Sequence, residues 1–404
     1  MHSHHYSSSR RQILLKLGGL SLAATGITPA AHAQTQDSSK ILVIFELSGG
    51  NDGLNTVVPF RDDAYYRMRP KLGIQASKVR KLDDSFGLHP GMVGFERLYK
   101  DGHLAIVHGC GYAQPSFSHF QSMAYWHTAA PNSGNRSGWV GRLADALPNS
   151  INAVGGDSVR LINLESAQSL AVSGARSTPL VFEDPAALVR TGEFNVQTLL
   201  EQQQTPDNSS NMLRHLYAHT QMAQQGARTV GDALARYRSS VDYGLLPSNL
   251  PKVAALIEAR HPARIYYASF RKNAFDTHVQ QADLHGRLLT YVSDAITAFF
   301  TDMKRIGRAQ DCTMLVFSEF GRRPLENNNQ GTDHGTAGPM FVVGPNVKGG
   351  LHGQPVNLTQ LDATGNLPHT TDFRQVYSAV AQQWMGADPQ AVLGAKFEGL
   401  KLFG

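Results

Sequence analysis

Residues 311–344, DCTMLVFSEFGRRPLENNNQGTDHGTAGPMFVVG, constrain the fold more than any other stretch of the chain. The run Thr313-Met314-Leu315-Val316-Phe317 is short, apolar and without polar alternation, which suits a strand buried on both faces. Where it stops, Glu319 appears, then Gly321 and two arginines. A loop with Pro324 and three asparagines leads to Asp333-His334-Gly335, and a second apolar run follows from Pro339 to Val343. Open α/β sheets hold their ligands at the ends of core strands, and Asp, Glu and His are the donors that bind zinc or harder cations. A turn in which Asp333 caps a helix and His334 lies on the surface accounts for the same residues. The rest of the chain has to decide.

The first 33 residues read as an address. Arg10-Arg11 precede a moderately apolar stretch from Leu17 to Ile27, and Ala31-His32-Ala33 offers a small-x-small cleavage site. A twin-arginine leader implies export of a folded chain through the twin-arginine machinery, to the periplasm or beyond; an uncleaved membrane anchor is the other reading. Removing the leader takes away three cations and no acids, so the formal charge falls from +5 to +2. That balance gives little support to a nucleic-acid partner. The remaining sequence has no stretch long and apolar enough to cross a bilayer. Its length suits one large α/β domain over residues 38–404, with a helical insertion at about 195–260. Within that insertion His215 and His219 share a helix face, as a metal pair or as part of a solvated surface. Cys110 and Cys312 fall at the ends of two expected strands on opposite edges of the sheet, so two free thiols are expected.

Several further strand ends carry polar groups. Lys40 to Leu47 is the first core strand, and it breaks into SGGNDGLNT, where glycines permit a sharp turn and Asp52 supplies oxygen donors. An Asx-turn is the plainer role for Asp52. Leu104 to His108 is the second strand. Beyond it, a helix from Phe117 to Trp126 would put Ser116 near the N-cap, among free N–H groups suited to a nucleophile and its anionic product. Ser116 is equally a structural cap, and Ser118 is the rival nucleophile. Ile265 to Phe270 is another strand, followed closely by Asp276 and His278 and then a long amphipathic helix to Met303. Any one of these loops is weak on its own. Their recurrence is the signal.

LSGGNDGLNTVVP, FGLHP, PSFSHFQSMAYW, FDTHVQQ, SEFGRRP, GTDHG and TDFRQVY together resemble the exported bacterial proteins of domain-of-unknown-function family 1501, over nearly all of residues 9 to 390. That family in turn resembles the alkaline-phosphatase and sulfatase superfamily. The resemblance implies a three-layer α/β sandwich whose central sheet is mixed, mostly parallel, with helices on both faces. It implies an exported hydrolase of phosphate or sulfate esters with a serine nucleophile and two divalent ions, zinc first, with magnesium, manganese or calcium as alternatives. On this reading Asp276, His278 and His334 bind one ion, and Asp52 and Glu319 the other. Phe320 stands where a second histidine would be, so Asp333 is the substitute ligand. Ser116 or Ser118 attacks, His119 serves the leaving group, and Asn55, Arg322 and Arg323 hold the anion of a small ester substrate. The alternative is an exported binding or assembly protein that retains the fold and one metal.

Overall fold

The computed structural model describes residues 39–148, 159–185, 225–245, 247–270 and 273–404, all within one compact unit, Ser38–Gly404. The expected leader and cleavage site, His215 and His219, and residues 195–224 of the expected insertion lie outside the described residues. Of that insertion, a helix over 225–236 and another, Leu250–Glu258, are described, with Pro251 in the first turn of the second, where its missing N–H costs nothing. Among the described residues no helix is long and apolar enough to cross a membrane.

The centre is a nine-stranded sheet. In chain order its strands are β1 (Ile41–Leu47), β2 (Leu104–Gly111), β3 (Leu161–Asn163), β4 (Leu180–Val181), β5 (Ile265–Phe270), β6 (Cys312–Phe317), β7 (Gly338–Val343), β8 (Gly350–His352) and β9 (Thr371–Asp372). In space they run β8-β2-β7-β6-β1-β5-β3-β4, with β9 also on β2. Only β7 is antiparallel to its neighbours, β2 and β6. The sheet is therefore mixed and mostly parallel.

Alternation along β1 shows why it is covered on both faces. Val43 and Phe45 join a cluster with Leu289, Ile296 and Phe299 from the helix Gln281–Arg305. Leu42 and Ile44 point the other way, among Trp126, Trp139 and Tyr377. Successive strand side chains take opposite faces, so an unbroken apolar run needs a helical layer on each side. The helix Gln281–Arg305 buries His285, Leu288, Leu289, Val292, Ile296, Phe299 and Met303, a spacing of three and four that makes one stripe.

Two local expectations are corrected. The helix after β2 runs His119–Thr128, and its N-cap is Ser118, whose Oγ accepts the Gln121 N–H; Ser116 instead donates to Gln121 Oε1 and accepts from the Ser118 N–H. Both cysteines are free and buried, as expected, but their strands are not at the sheet edges: β7 lies between β2 and β6. Two interstrand spacings, roughly 9–10 Å, already exceed a disulfide's reach.

Candidate metal centre

The carboxyl ends of β1, β2, β5 and β6 and the amino end of antiparallel β7 all open on one side of the sheet, and each is followed or preceded by polar loop residues. A separate two-stranded ribbon, Arg322–Glu326 with Thr332–His334, sets Arg322 opposite His334. The turn after β1 is what lets these loops meet. Gly49 has φ +119°, and a Cβ there would lie 2.6 Å from the Asp276 nitrogen. Its N–H donates to both oxygens of Glu319, at 2.8 and 3.1 Å.

Asp276 is the hub. Its Oδ1 lies 2.6 Å from Arg322 Nη2, 3.0 Å from His334 Nε2 and 3.0 Å from His278 Nε2; its Oδ2 lies 3.3 Å from His119 Nε2. Burial pushes the carboxyl pKa upward, but Arg322 and His334 outweigh it and hold Asp276 at about 2. The three imidazoles share one orientation. His119 Nδ1 is 2.8 Å from Glu319 Oε1, His334 Nδ1 is 2.7 Å from the Phe117 carbonyl, and His278 Nδ1 is 3.2 Å from Asp333 Oδ1. Each ring therefore has an oxygen on Nδ1 and turns its Nε2 toward Asp276. His278 and His334 bring those nitrogens within 3.0 Å of each other. His119 Nε2 is buried and makes no hydrogen bond, its approach to Asp276 being out of line.

Arg322 meets Asp276 Oδ1 from one side, and the inward Nε2 atoms and the carboxylate together make a donor set of the kind that holds a metal cation. His119, Asp276 and His334 each offer a donor atom, all within 4.8 Å of one another. A tetrahedral zinc with bonds near 2.0–2.2 Å has donors about 3.3–3.6 Å apart, so a small movement closes the set. His278, 3.0 Å from two of the three, is the fourth donor at hand. The residues fit one such ion. Oxygen partners on the far ring nitrogens are what fixes a histidine for a metal. Glu319 also raises the His119 pKa through their hydrogen bond, against burial; burial lowers that of His334. Phe320, buried, packs its ring 5.0 Å from His119 and 4.6 Å from His334, an apolar floor to the centre.

The second expected ion does not fit. Asp52 is fully buried, and its two oxygens are taken by Arg69, at 2.5 and 2.9 Å, with Gln281 Nε2 donating as well. Burial raises the Asp52 pKa and Arg69 more than reverses it, so the carboxylate stays charged. Glu319 serves His119 and Gly49. Asn55 is buried, its Oδ1 accepting from Tyr65 and Arg69 and its Nδ2 donating to the Leu72 carbonyl. Arg322 is 1% exposed and spends its guanidinium on the carbonyls of Gly49, Gly50, Phe275 and Thr332 and on Asp276. Both side chains are engaged within the protein. Arg323 is half-buried, near Asp333, whose side chain is 55% exposed. Nothing in the sequence around Arg69 marks it as the partner of Asp52. Its nearness to Asp52 depends on the fold.

Among solved structures, the PsFucS1 sulfatase from Pseudoalteromonas sp. is similar at 10% identity and a TM-score of 0.40, covering 90% of this chain and 71% of that one. Ps i-CgsB gives 11% identity and 0.36, over 88% and 75%. The C-terminal periplasmic domain of EcEptC from Escherichia coli, solved in complex with Zn, gives 9% and 0.36, over 76% and 74%. Likenesses this distant have no bearing on what the chain does. No curated protein matches it. A family model described as "Protein of unknown function (DUF1501)" matches residues 39–396, and the chain belongs to that family.

Proposed function

We propose that this chain is an exported, metal-dependent hydrolase of phosphate or sulfate esters, working with one divalent ion. The observation that carries the reading is the inward orientation of three imidazoles around Asp276, each fixed by an oxygen on its far nitrogen. His119, Asp276, His334 and His278 would hold the ion, zinc being the metal this donor set suits. Such an ion supplies Lewis acidity toward an ester oxygen and lowers the pKa of water.

The remaining work falls to the chain. Arg322 anchors Asp276, and Glu319, Asp333 and the Phe117 carbonyl hold the rings at their inward angle. The ten-residue helix begins at His119, itself part of the centre, and a helix N-terminus favours an anion nearby. Ser118 is the nucleophile this reading selects. It precedes His119, it is exposed, and its hydroxyl keeps a single long bond, 3.5 Å from the Gln121 nitrogen. Ser116 is tied to Gln121 Oε1 at 3.0 Å.

A second reading, a binding or assembly protein that keeps one metal, is favoured by Arg69. Its guanidinium fills the place on Asp52 where a second ion was expected. The deciding experiment is elemental analysis of the mature protein together with release of 4-nitrophenol from its phosphate and sulfate esters. Wild type, His119→Ala, Asp276→Asn and Ser118→Ala are compared. About one divalent ion per chain, lost in the first two variants, with turnover that Ser118→Ala abolishes, supports the hydrolase. Metal without turnover supports the binding protein. A metal-free wild type sinks both.

A further inference from the structure

Large apolar side chains left in water are not spread evenly over this protein. Seven are exposed among the described residues, and five of them, Phe117, Phe120, Val279, Leu284 and Leu325, lie on the segments that build the metal centre. The other two, Val93 and Leu245, lie elsewhere. Phe117 lends its carbonyl to His334, so its backbone touches the centre directly. Phe120 follows His119 and is 88% exposed; Val279 follows His278 and is 56% exposed. Leu325 is in the ribbon between Arg322 and Asp333. Leu284 is in the first turn of the helix opened by Gln281, whose Oε1 accepts from Thr332 of that ribbon at 2.6 Å. The centre itself is open, with His278 and Asp333 side chains 38% and 55% exposed. Exposed apolar groups on the same segments as an open polar centre suit an amphiphilic ligand.

We infer that the ester taken by this centre is a monomeric amphiphile, an anionic headgroup carrying an alkyl or aryl chain that lies on Phe117, Phe120 and Val279. The inference rests on the hydrolase reading for its anion and on the apolar margin for its chain. A protein partner laid across the same side chains would cover the open centre. A dissolved ester of this kind joins margin and centre in one molecule.

The test is calorimetric titration of the zinc-loaded mature protein with inorganic phosphate, methyl phosphate and octyl phosphate, the last below its micelle concentration. Phe120→Ala is titrated in parallel, with zinc content as its folding control. Each pair of methylenes covered is worth roughly tenfold in affinity, so octyl phosphate is expected to bind at least tenfold tighter than methyl phosphate. Phe120→Ala should lose most of that ratio. Equal affinities for the two esters overturn the inference while leaving the anion reading intact. If neither phosphate nor methyl phosphate binds but octyl phosphate does, the apolar margin stands and the hydrolase reading falls. Binding to phosphatidylcholine vesicles containing phosphatidic acid, without binding of monomeric octyl phosphate, overturns the inference in favour of a lipid surface.

Discussion

Replacing Arg69 by Met should be one of the most damaging single changes in the core. The guanidinium is 1% exposed and makes five hydrogen bonds: two to Asp52, one to Asn55 Oδ1, and one each to the carbonyls of Pro324 and Arg323, at 3.0 Å. Methionine fills part of the volume and none of these bonds. What remains is a carboxylate with no exposure and no counter-charge. Breaking a buried pair in this way costs about 3–5 kcal/mol, against a total stability of about 5–15 kcal/mol. Asp52→Asn combined with Arg69→Met removes the stranded charge, so the double variant should recover part of the loss, although each change alone destabilises. The pH dependence has a definite sign. In the wild type the Asp52 pKa is depressed, so the pair's contribution is present above the unfolded-state pKa and is lost as pH falls. In Arg69→Met burial raises the Asp52 pKa, and the deficit relative to wild type should narrow toward pH 4. Equilibrium urea unfolding of the four proteins at pH 7 and pH 4.5 measures all of this. A single variant within about 1 kcal/mol of wild type at pH 7, or strictly additive effects in the double, would refute the buried-pair argument.

Three more outcomes are expected. Glu319→Gln removes the carboxylate that fixes His119 Nδ1, so zinc affinity, measured by chelator competition, should fall about 10–100-fold; unchanged affinity would show that His119 is held by packing alone. Gly49→Ala must place a Cβ 2.6 Å from the Asp276 nitrogen at a positive φ, so it should destabilise by at least about 2 kcal/mol and lower metal content, measured by unfolding and elemental analysis. Burial lowers the His108 pKa to about 4, so the unfolded chain takes up that proton first and stability falls as pH drops from 6.5 toward 4. The His108 share is about 2 kcal/mol by pH 5, with His89 at about 4 and His285 at about 3 acting in the same direction, and His108→Asn should flatten that slope in urea titrations.

The layered α/β arrangement was legible because the strand signals are local. Thr313 to Phe317, Ile265 to Phe270 and Lys40 to Leu47 are mostly apolar runs without polar alternation, and each gives a strand buried on both faces. The placing of the cysteines was misjudged because sheet order is not local. The last long strand, Gly338–Val343, inserts antiparallel between two strands that precede it in sequence, and no property of either neighbour announces that. The helix start moved from Phe117 to His119 for a reason two residues wide. Both Ser116 and Ser118 can cap, and only the Gln121 N–H, reaching Ser118, decides between them.

Site residues were legible as a set of loops but not as a set of partners. Asp276, His278 and His334 were expected to share an ion because Asp and His recur there, and the structure brings their atoms within 3.0 Å of one another. Pairing Asp52 with Glu319 rested on their charge and their similar places after strands, and a carboxylate carries no mark of the cation it will meet. Arg69, seventeen residues beyond Asp52, meets it with a planar fork matched to both oxygens. His119, two hundred residues before Glu319, meets it through Nδ1. These two contacts divide the acidic groups by consequence. Arg69 neutralises Asp52, so that carboxylate holds the loop together and has nothing left to offer a metal. Glu319 instead turns His119 Nε2 toward Asp276. Of the carboxylates that end the core strands, one is spent on stability, one on orientation, and Asp276 is the one still facing the three imidazoles.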